Sequence, residues 1–125
     1  PTRGAWGAYT FHYGQSAGQV GHFRGARYWT AMEQIYRQAY RALRPSGILM
    51  LVVKDHVQDG KHIETANRTA ALCAQIGFIE VARHQRRVWP LSLWQRRREQ
   101  GKLVIEVEDI LVFERPHAAH RTTEA

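Results

Sequence analysis

The stretch Ala26–Asp55 reads ARYWTAMEQIYRQAYRALRPSGILMLVVKD. Its first part is helical: Trp29, Met32, Tyr36, Tyr40 and Leu43 recur at the three- and four-residue spacing of one helix face. The segment Arg44-Pro45-Ser46-Gly47 stops that helix. The apolar run Ile48-Leu49-Met50-Leu51-Val52-Val53 follows and ends in Lys54-Asp55. A continuous apolar run of this length predicts a strand covered on both faces. Helix, Pro/Gly turn and strand together make one unit of an open, mostly parallel α/β sheet. Such sheets place ligands at the carboxyl ends of their strands, which puts Lys54 and Asp55 where chemistry is expected.

Outward from this unit the pattern continues. A second helix is expected from about His62 to Ile76, with Ile63, Ala66, Ala70, Cys73 and Ile76 as its stripe and Gly77 at its left-handed terminus. A second strand is expected from Phe78 to about His84. Residues 89–102 read as a loop with a short helix. Leu103–Phe113 is the third strand, its buried part being Ile110–Phe113. Residues 1–26 hold six glycines, Gly4, Gly7, Gly14, Gly18, Gly21 and Gly25, without a sustained period and read as a loop; residues 116–125 read as a frayed tail. The first two strands are joined by a helix and are expected to be parallel neighbours. The last follows a long connection and is expected to be antiparallel. Three strands and two helices leave a sheet with poor cover, so part of the expected α/β sheet is missing.

The chain has 125 residues, 44% hydrophobic and 23% charged, which is a globular composition for one small domain. Its formal net charge of +7 favours an anionic partner, nucleic acid first. The lone Cys73 excludes an internal disulfide and fits a reducing, cytoplasmic setting. No apolar run is long enough to span a bilayer, and the glycine-rich start lacks the apolar core of a signal peptide.

Three groups of residues carry the candidate chemistry. In the loop Tyr13-Gly14-Gln15-Ser16-Ala17-Gly18-Gln19-Val20-Gly21, the glycines permit close backbone approach to a ligand. Tyr13 can stack on a base there, and Gln15 and Gln19 can bond a base edge or a phosphate. The loop lacks the Gly-Lys-Ser/Thr of a P-loop. Lys54 and Asp55 are read either as a base-pocket or phosphate contact or as a solvated strand end. The window 83–102 holds Arg83, Arg86, Arg87, Arg96, Arg97, Arg98 and Lys102 against Glu99 alone, with Trp89 and Trp94 interleaved. Arginine clusters contact phosphates, and aromatic rings stack on unpaired bases. The plain alternative is a solvated basic loop anchored by packed tryptophans, with Glu108 paired to it. No metal set and no Ser-His-Asp or Cys-His arrangement is supported by the spacing.

Several of these segments resemble a family. Tyr13-Gly14-Gln15, Gly18-Gln19-Val20-Gly21 and Tyr28-Trp29 resemble the segment after the catalytic tetrapeptide of bacterial and phage DNA amino-methyltransferases. The resemblance continues through Tyr40–Gly47, Leu51–Asp55, Leu72-Cys73 with Ile76-Gly77-Phe78, Arg87–Trp94 and Glu108–Phe113, covering roughly residues 13–115. It implies a Rossmann-like methyltransferase sheet, present in part, in residues 27–115. It also implies S-adenosylmethionine as cofactor, DNA as partner and an exocyclic amine of adenine or cytosine as methyl acceptor, in the setting of restriction-modification. That family holds its donor on a glycine-rich turn and works at an Asp/Asn-Pro-Pro-Tyr tetrapeptide. Here Pro1, Pro45, Pro90 and Pro116 stand apart, so the chain looks like the carboxyl-terminal half of such an enzyme. A complementary amino-terminal half or a second copy is then the expected partner. The substrate or DNA contacts implied are Tyr13, Gln15, Gln19, Lys54, Asp55, Arg86, Arg87, Trp89, Trp94, Arg96, Arg97 and Arg98, with no catalytic residue in the chain. The rivals are a non-catalytic basic DNA-binding module of methyltransferase ancestry and an RNA methyltransferase fragment.

Overall fold

The computed structural model describes residues 24–88 and 92–117, with the backbone alone for residues 92–94. The chain divides into two compact units, Pro1–Ile35 and Tyr36–Ala125. Helix α1 (Gly25–Ala42) begins in the first and ends in the second. In the first unit Tyr28 and Trp29 meet edge to face, their ring centroids 5.0 Å apart. The second unit contains β1 (Ile48–Val53), β2 (His56–Gln58), β3 (Lys61–Ile63) and α2 (Thr65–Ile76). It continues with β4 (Ile79–Arg87), α3 (Ser92–Glu99) and β5 (Val107–Glu114).

The main sheet has three strands in the order β1-β5-β4, and β5 is antiparallel to both neighbours. The expectation that β1 and β4 pair is therefore corrected. The two strands do run in the same direction, but β5 inserts between them and takes the hydrogen bonds of both. Its register with β1 runs from Val53↔Asp109 to Ile48↔Glu114. The β4 ladder is interrupted by a bulge between Glu80 and Ala82.

Directly opposed residues share a face of the sheet. Leu111 and Phe113 of β5 face α2 and are 0% and 1% exposed. Around them lie Cys73, Phe78, Ala66 and Tyr36, all buried. Phe78 meets Tyr40 edge to face at 5.0 Å and Phe113 at 5.9 Å, so one aromatic chain joins the end of α1, the α2–β4 joint and the central strand. The inward face of α2 is partly polar: Thr65 and Thr69 are buried beside Ala66 and Cys73. The apolar stripe read from the sequence omits both threonines.

The opposite face of β1 is bare. Ile48, Met50 and Val52 are 50%, 62% and 59% exposed, while Leu49, Leu51 and Val53 are half-buried. This corrects the expectation of a strand covered on both faces: all six positions are apolar, but only one face is packed among the described residues. Among the described residues β1 bonds to β5 alone, so its second edge is unpaired.

Other boundaries shift for local reasons. His62 and Ile63 belong to the β2–β3 hairpin, and α2 starts at Thr65. The hairpin turn is Asp59-Gly60, both at positive φ (53° and 75°), as a two-residue left-handed turn demands. The second strand runs Ile79–Arg87, longer than expected, because Arg86 and Arg87 continue the ladder opposite Glu108 and Val107. The third strand begins at Val107 instead of Leu103. The loop reading of residues 1–26 and the tail reading of 116–125 lie largely outside the described residues, which reach from Arg24 to His117.

Both helix ends that border the core are closed by residues distant in sequence or by a tight reversal. At the end of α1, the Arg115 guanidinium donates to the carbonyls of Tyr40 (2.8 Å) and Leu43 and lies 4.6 Å over the Tyr40 ring. At the end of α2, the Phe78 N–H reaches back to the Cys73 carbonyl (3.0 Å), with Gly77 at φ 129°. A Cβ at Gly77 would lie 3.2 Å from the Tyr40 ring as well as forcing a strained backbone. Gly77→Ala is expected to cost about 1–3 kcal/mol, read as a lower urea midpoint with unchanged slope.

Burial pushes the Cys73 thiol up to about 11, with the charge of Glu80 adding to the effect. The folded chain thus holds this proton more tightly than the unfolded chain does. The associated stability is full below the ordinary value of 9.0 and is lost as pH rises toward about 11. A thiol reagent at about pH 8 is expected to react with Cys73 only when denaturant unfolds the chain.

Candidate functional site at the carboxyl end of the first strand

The chain leaves β1 at Lys54-Asp55, and successive residues of extended chain point to opposite sides. Asp55 lines a cleft of about 720 Å³ together with His62, Glu64, Asn67, Arg83, Gln85 and Asp109. Lys54 lines a different cleft, of about 200 Å³, with His56, Val57, Arg97, Leu103, Val104 and Ile105. The pair that reads as one feature in the sequence therefore serves two sites.

Asp55 is engaged within the fold. One carboxylate oxygen accepts the Ala66 N–H at 2.8 Å, and the other contacts His62 Nε2 at 2.6 Å. Glu64, the residue at the α2 N-terminus, makes no capping bond with its side chain. Asp55 supplies that bond from eleven positions upstream, |i−j| being 11. A carboxylate there satisfies an orphan amide and complements the positive end of the helix dipole. The same residue ties down the hairpin through His62. His56 at the hairpin base contacts the Thr65 hydroxyl at 3.2 Å. Sequence reasoning missed this role, although Asp59-Gly60 signals the hairpin that brings His62 back.

The larger cleft has mixed charge. The Arg83 guanidinium forms two bonds to Glu80 (2.7 and 3.3 Å) and one to Asn67 (2.6 Å). Asp109, only 7% exposed, accepts from Gln85 Nε2 at 3.2 Å. The smaller cleft is lined by two cations and a histidine, with no carboxylate in its wall. Burial holds the Lys54 ammonium below its ordinary value, while the charges of Glu108 and Asp55 act in the opposite direction.

The basic window divides in the same manner. Arg86 pairs with Glu108, and Arg87 (3.5 Å) and Arg98 both pair with Glu106. Glu108 pairs with this window as the sequence suggested, and Glu99 is not the only other acid near it: antiparallel pairing of β4 and β5 brings Glu106 across as well. Arg86, Arg87 and Arg98 thus fasten β4 and α3 to the start of β5. Arg96 and Arg97 on α3 form no ion pair among the described residues, and Arg97 enters the wall of the smaller cleft. The helix stops at Gly101 (φ 76°), where the Lys102 N–H bonds back to the Arg97 carbonyl at 2.9 Å. Tyr13, Gln15, Gln19 and Trp89 lie outside the described residues, and Trp94 is described by its backbone alone. No group of three or more potential metal ligands occurs among the described residues. No described helix is long and apolar enough to cross a membrane.

No protein-family model matches the chain, and no curated protein matches it either. Solved structures do match it. A presumptive DNA modification methylase of Thermus thermophilus, in complex with S-adenosyl-L-methionine, superposes with a TM-score of 0.60 at 22% identity. That match covers 86% of this chain and 46% of the other. A second structure of the same protein gives a TM-score of 0.58 at 21% identity over 84% of this chain and 43% of that one. Its selenomethionine derivative gives 0.55 at 22% identity over 74% and 38%. The likeness is one of fold: the chain shares the mixed helix and antiparallel-strand arrangement of these structures. It spans less than half the length of the solved structures it matches.

Asp55→Ala removes the cap of α2 and the anchor of His62, and is expected to cost about 1–3 kcal/mol. Asp55→Asn keeps an acceptor for the Ala66 amide and should lose less. Chemical denaturation of both variants checks the order; equal stability of Asp55→Ala and the parent chain would remove the capping role.

Proposed function

We propose that the chain is the carboxyl-terminal part of an S-adenosylmethionine-dependent DNA methyltransferase that modifies an exocyclic amine of adenine or cytosine. The observation that carries this reading is the β1-β5-β4 sheet, in which an antiparallel last strand sits between two strands of common direction. It is supported by the shared fold with DNA modification methylases over 86% of this chain. The motifs quoted from Tyr13 to Phe113 support the amino-methyltransferase type.

The neighbour's ligand makes S-adenosylmethionine the cofactor in this reading. When bound, it supplies an electrophilic methyl group on a sulfonium. The two clefts described above do not fit it: no glycine, phenylalanine, tyrosine or tryptophan lines either, and the larger presents Asp55, Glu64 and Asp109 with Ala66 as its one apolar residue. In this reading the donor site belongs to a complementary amino-terminal half. The open edge of β1 and its exposed Ile48, Met50 and Val52 suit a further parallel strand and covering helices from that half. Burying these three side chains would give about 1.5–3 kcal/mol each.

The residues of this chain position substrate. The target base must leave the duplex to reach the transfer pocket, so unpaired nucleotides and distorted backbone lie close to the sheet. Arg96, Arg97 and Lys54 offer charge to phosphates, while Arg86, Arg87 and Arg98 hold the supporting elements. Tyr13, Gln15, Gln19, Trp89 and Trp94 enter this reading as substrate contacts through the sequence resemblance alone. The setting of this activity is cytoplasmic. A second reading, a non-catalytic DNA-binding module, is favoured by one observation: none of the four prolines is adjacent to another, so the catalytic tetrapeptide is not in this chain.

The test joins the chain to the coding segment directly upstream in its gene and supplies S-adenosylmethionine and DNA. Mass spectrometry of the digested DNA should then find N6-methyladenine or N4-methylcytosine. A folded protein that yields only 5-methylcytosine, methylates RNA alone or transfers nothing while binding DNA contradicts the proposal.

A further inference from the structure

The cleft of about 200 Å³ beside β1 has an unusual lining for its position. One side is polar and positive: Lys54 at the strand end, Arg97 on α3 and His56 at the hairpin base. The other is aliphatic: Val57, Leu103, Val104 and Ile105. Its location at the carboxyl end of β1 is where an α/β sheet presents ligands. Three separate elements build it, and each is fixed independently. Arg98 is paired with Glu106, which holds α3 against the segment before β5. The bond from the Lys102 amide to the Arg97 carbonyl (2.9 Å) turns the chain so that 103–105 form the aliphatic wall. The Thr65 hydroxyl at His56 Nδ1 (3.2 Å) ties the hairpin base to α2 and leaves Nε2 as the ring's other nitrogen.

The charges are arranged for an anion. Glu106 and Glu108 pair with Arg98, Arg87 and Arg86, and Glu108 and Asp55 also act on the Lys54 charge from outside the cleft wall. Arg97 forms no ion pair among the described residues, and a guanidinium presents a planar fork that matches two phosphate oxygens. Lys54 is partly desolvated, which strengthens its attraction for an anion brought into the cleft. The volume admits a phosphate group and part of a sugar. The aliphatic wall gives a carbon-rich neighbour of that phosphate a dry surface.

We infer that the cleft between Lys54 and Arg97 binds one phosphodiester of an unpaired nucleotide, with its nucleoside against Leu103, Val104 and Ile105. The inference rests on the nucleic-acid part of the proposed function and names the site through which that substrate is held. It does not depend on methyl transfer.

Nuclear magnetic resonance titration of the isotopically labelled 125-residue chain tests it. The probes are inorganic phosphate, a single-stranded thymidine pentamer and a duplex of matched length, all at constant ionic strength. Amide signals of Val57, Leu103, Val104 and Ile105 should shift saturably with phosphate and with the pentamer, and more tightly with the pentamer. Arg97→Ala should weaken the pentamer about tenfold, because a charge-assisted bond to phosphate is lost. Lys54→Gln, a separate variant on a different element, should weaken it comparably. Arg44→Gln, an exposed cation at the opposite end of β1 and outside the cleft, should change it less than about twofold, as expected of a screened surface charge. Each variant's remaining spectrum reports whether it is folded.

Equal losses for Arg44→Gln and Arg97→Ala would mean a diffuse basic surface and would overturn the site. So would shifts that avoid the cleft residues, or tighter binding of free phosphate or duplex than of the pentamer. If the pentamer binds as expected but no methylated base is ever found, the methyltransferase reading falls and the site stands. If methylated bases are found and the cleft signals do not move, the reverse holds.

Discussion

The insertion of β5 between β1 and β4 is the constraint on which the second unit depends. A strand that pairs on both edges satisfies its backbone groups without water, and this one also carries the two most deeply buried side chains of the sheet, Leu111 and Phe113. Its register places several of the charged groups around the two clefts. Asp109 stands opposite Val53 and Gln85, closing the larger cleft. Glu106 and Glu108, just before and within the strand, collect the arginines of β4 and α3. Arg115, just after it, closes α1. A one-residue slip would move Asp109 to the bare face and carry the arginine partners with it.

Local pattern and long-range pairing account for what the sequence made legible. The α1 stripe, the Pro45–Gly47 turn, the β1 core and the Gly77 terminus are written in neighbouring residues, and the structure has each of them. The Lys54-Asp55 pair was also visible as a strand end. What was hidden depends on contacts between residues far apart in the chain. Nothing near Asp55 signals that it caps a helix eleven residues on, where |i−j| is 11, or that Glu106 neutralises two arginines of different elements. The covered-strand expectation for β1 failed for a different reason. Its six apolar side chains are suited to two covered faces, and the described residues pack against one.

The two clefts at the end of β1 divide the labour of that strand end. Asp55 is committed to architecture, since both of its oxygens are engaged by α2 and the hairpin. Lys54, one position earlier, emerges on the side where the lining is cationic and aliphatic. The arginines divide likewise, Arg86, Arg87 and Arg98 holding elements together and Arg96 and Arg97 remaining outside any ion pair among the described residues. The basic cluster of the sequence therefore resolves into arginines engaged in ion pairs and arginines outside them among the described residues.

In the proposed reading this chain provides the substrate-facing half of a methyltransferase sheet and not its donor site. Calorimetric titration of the folded 125-residue chain with S-adenosylmethionine decides this. No saturable heat is expected, with binding gained once the upstream half is joined to the chain. Saturable micromolar binding to the chain alone would contradict it and would place the donor site within these residues.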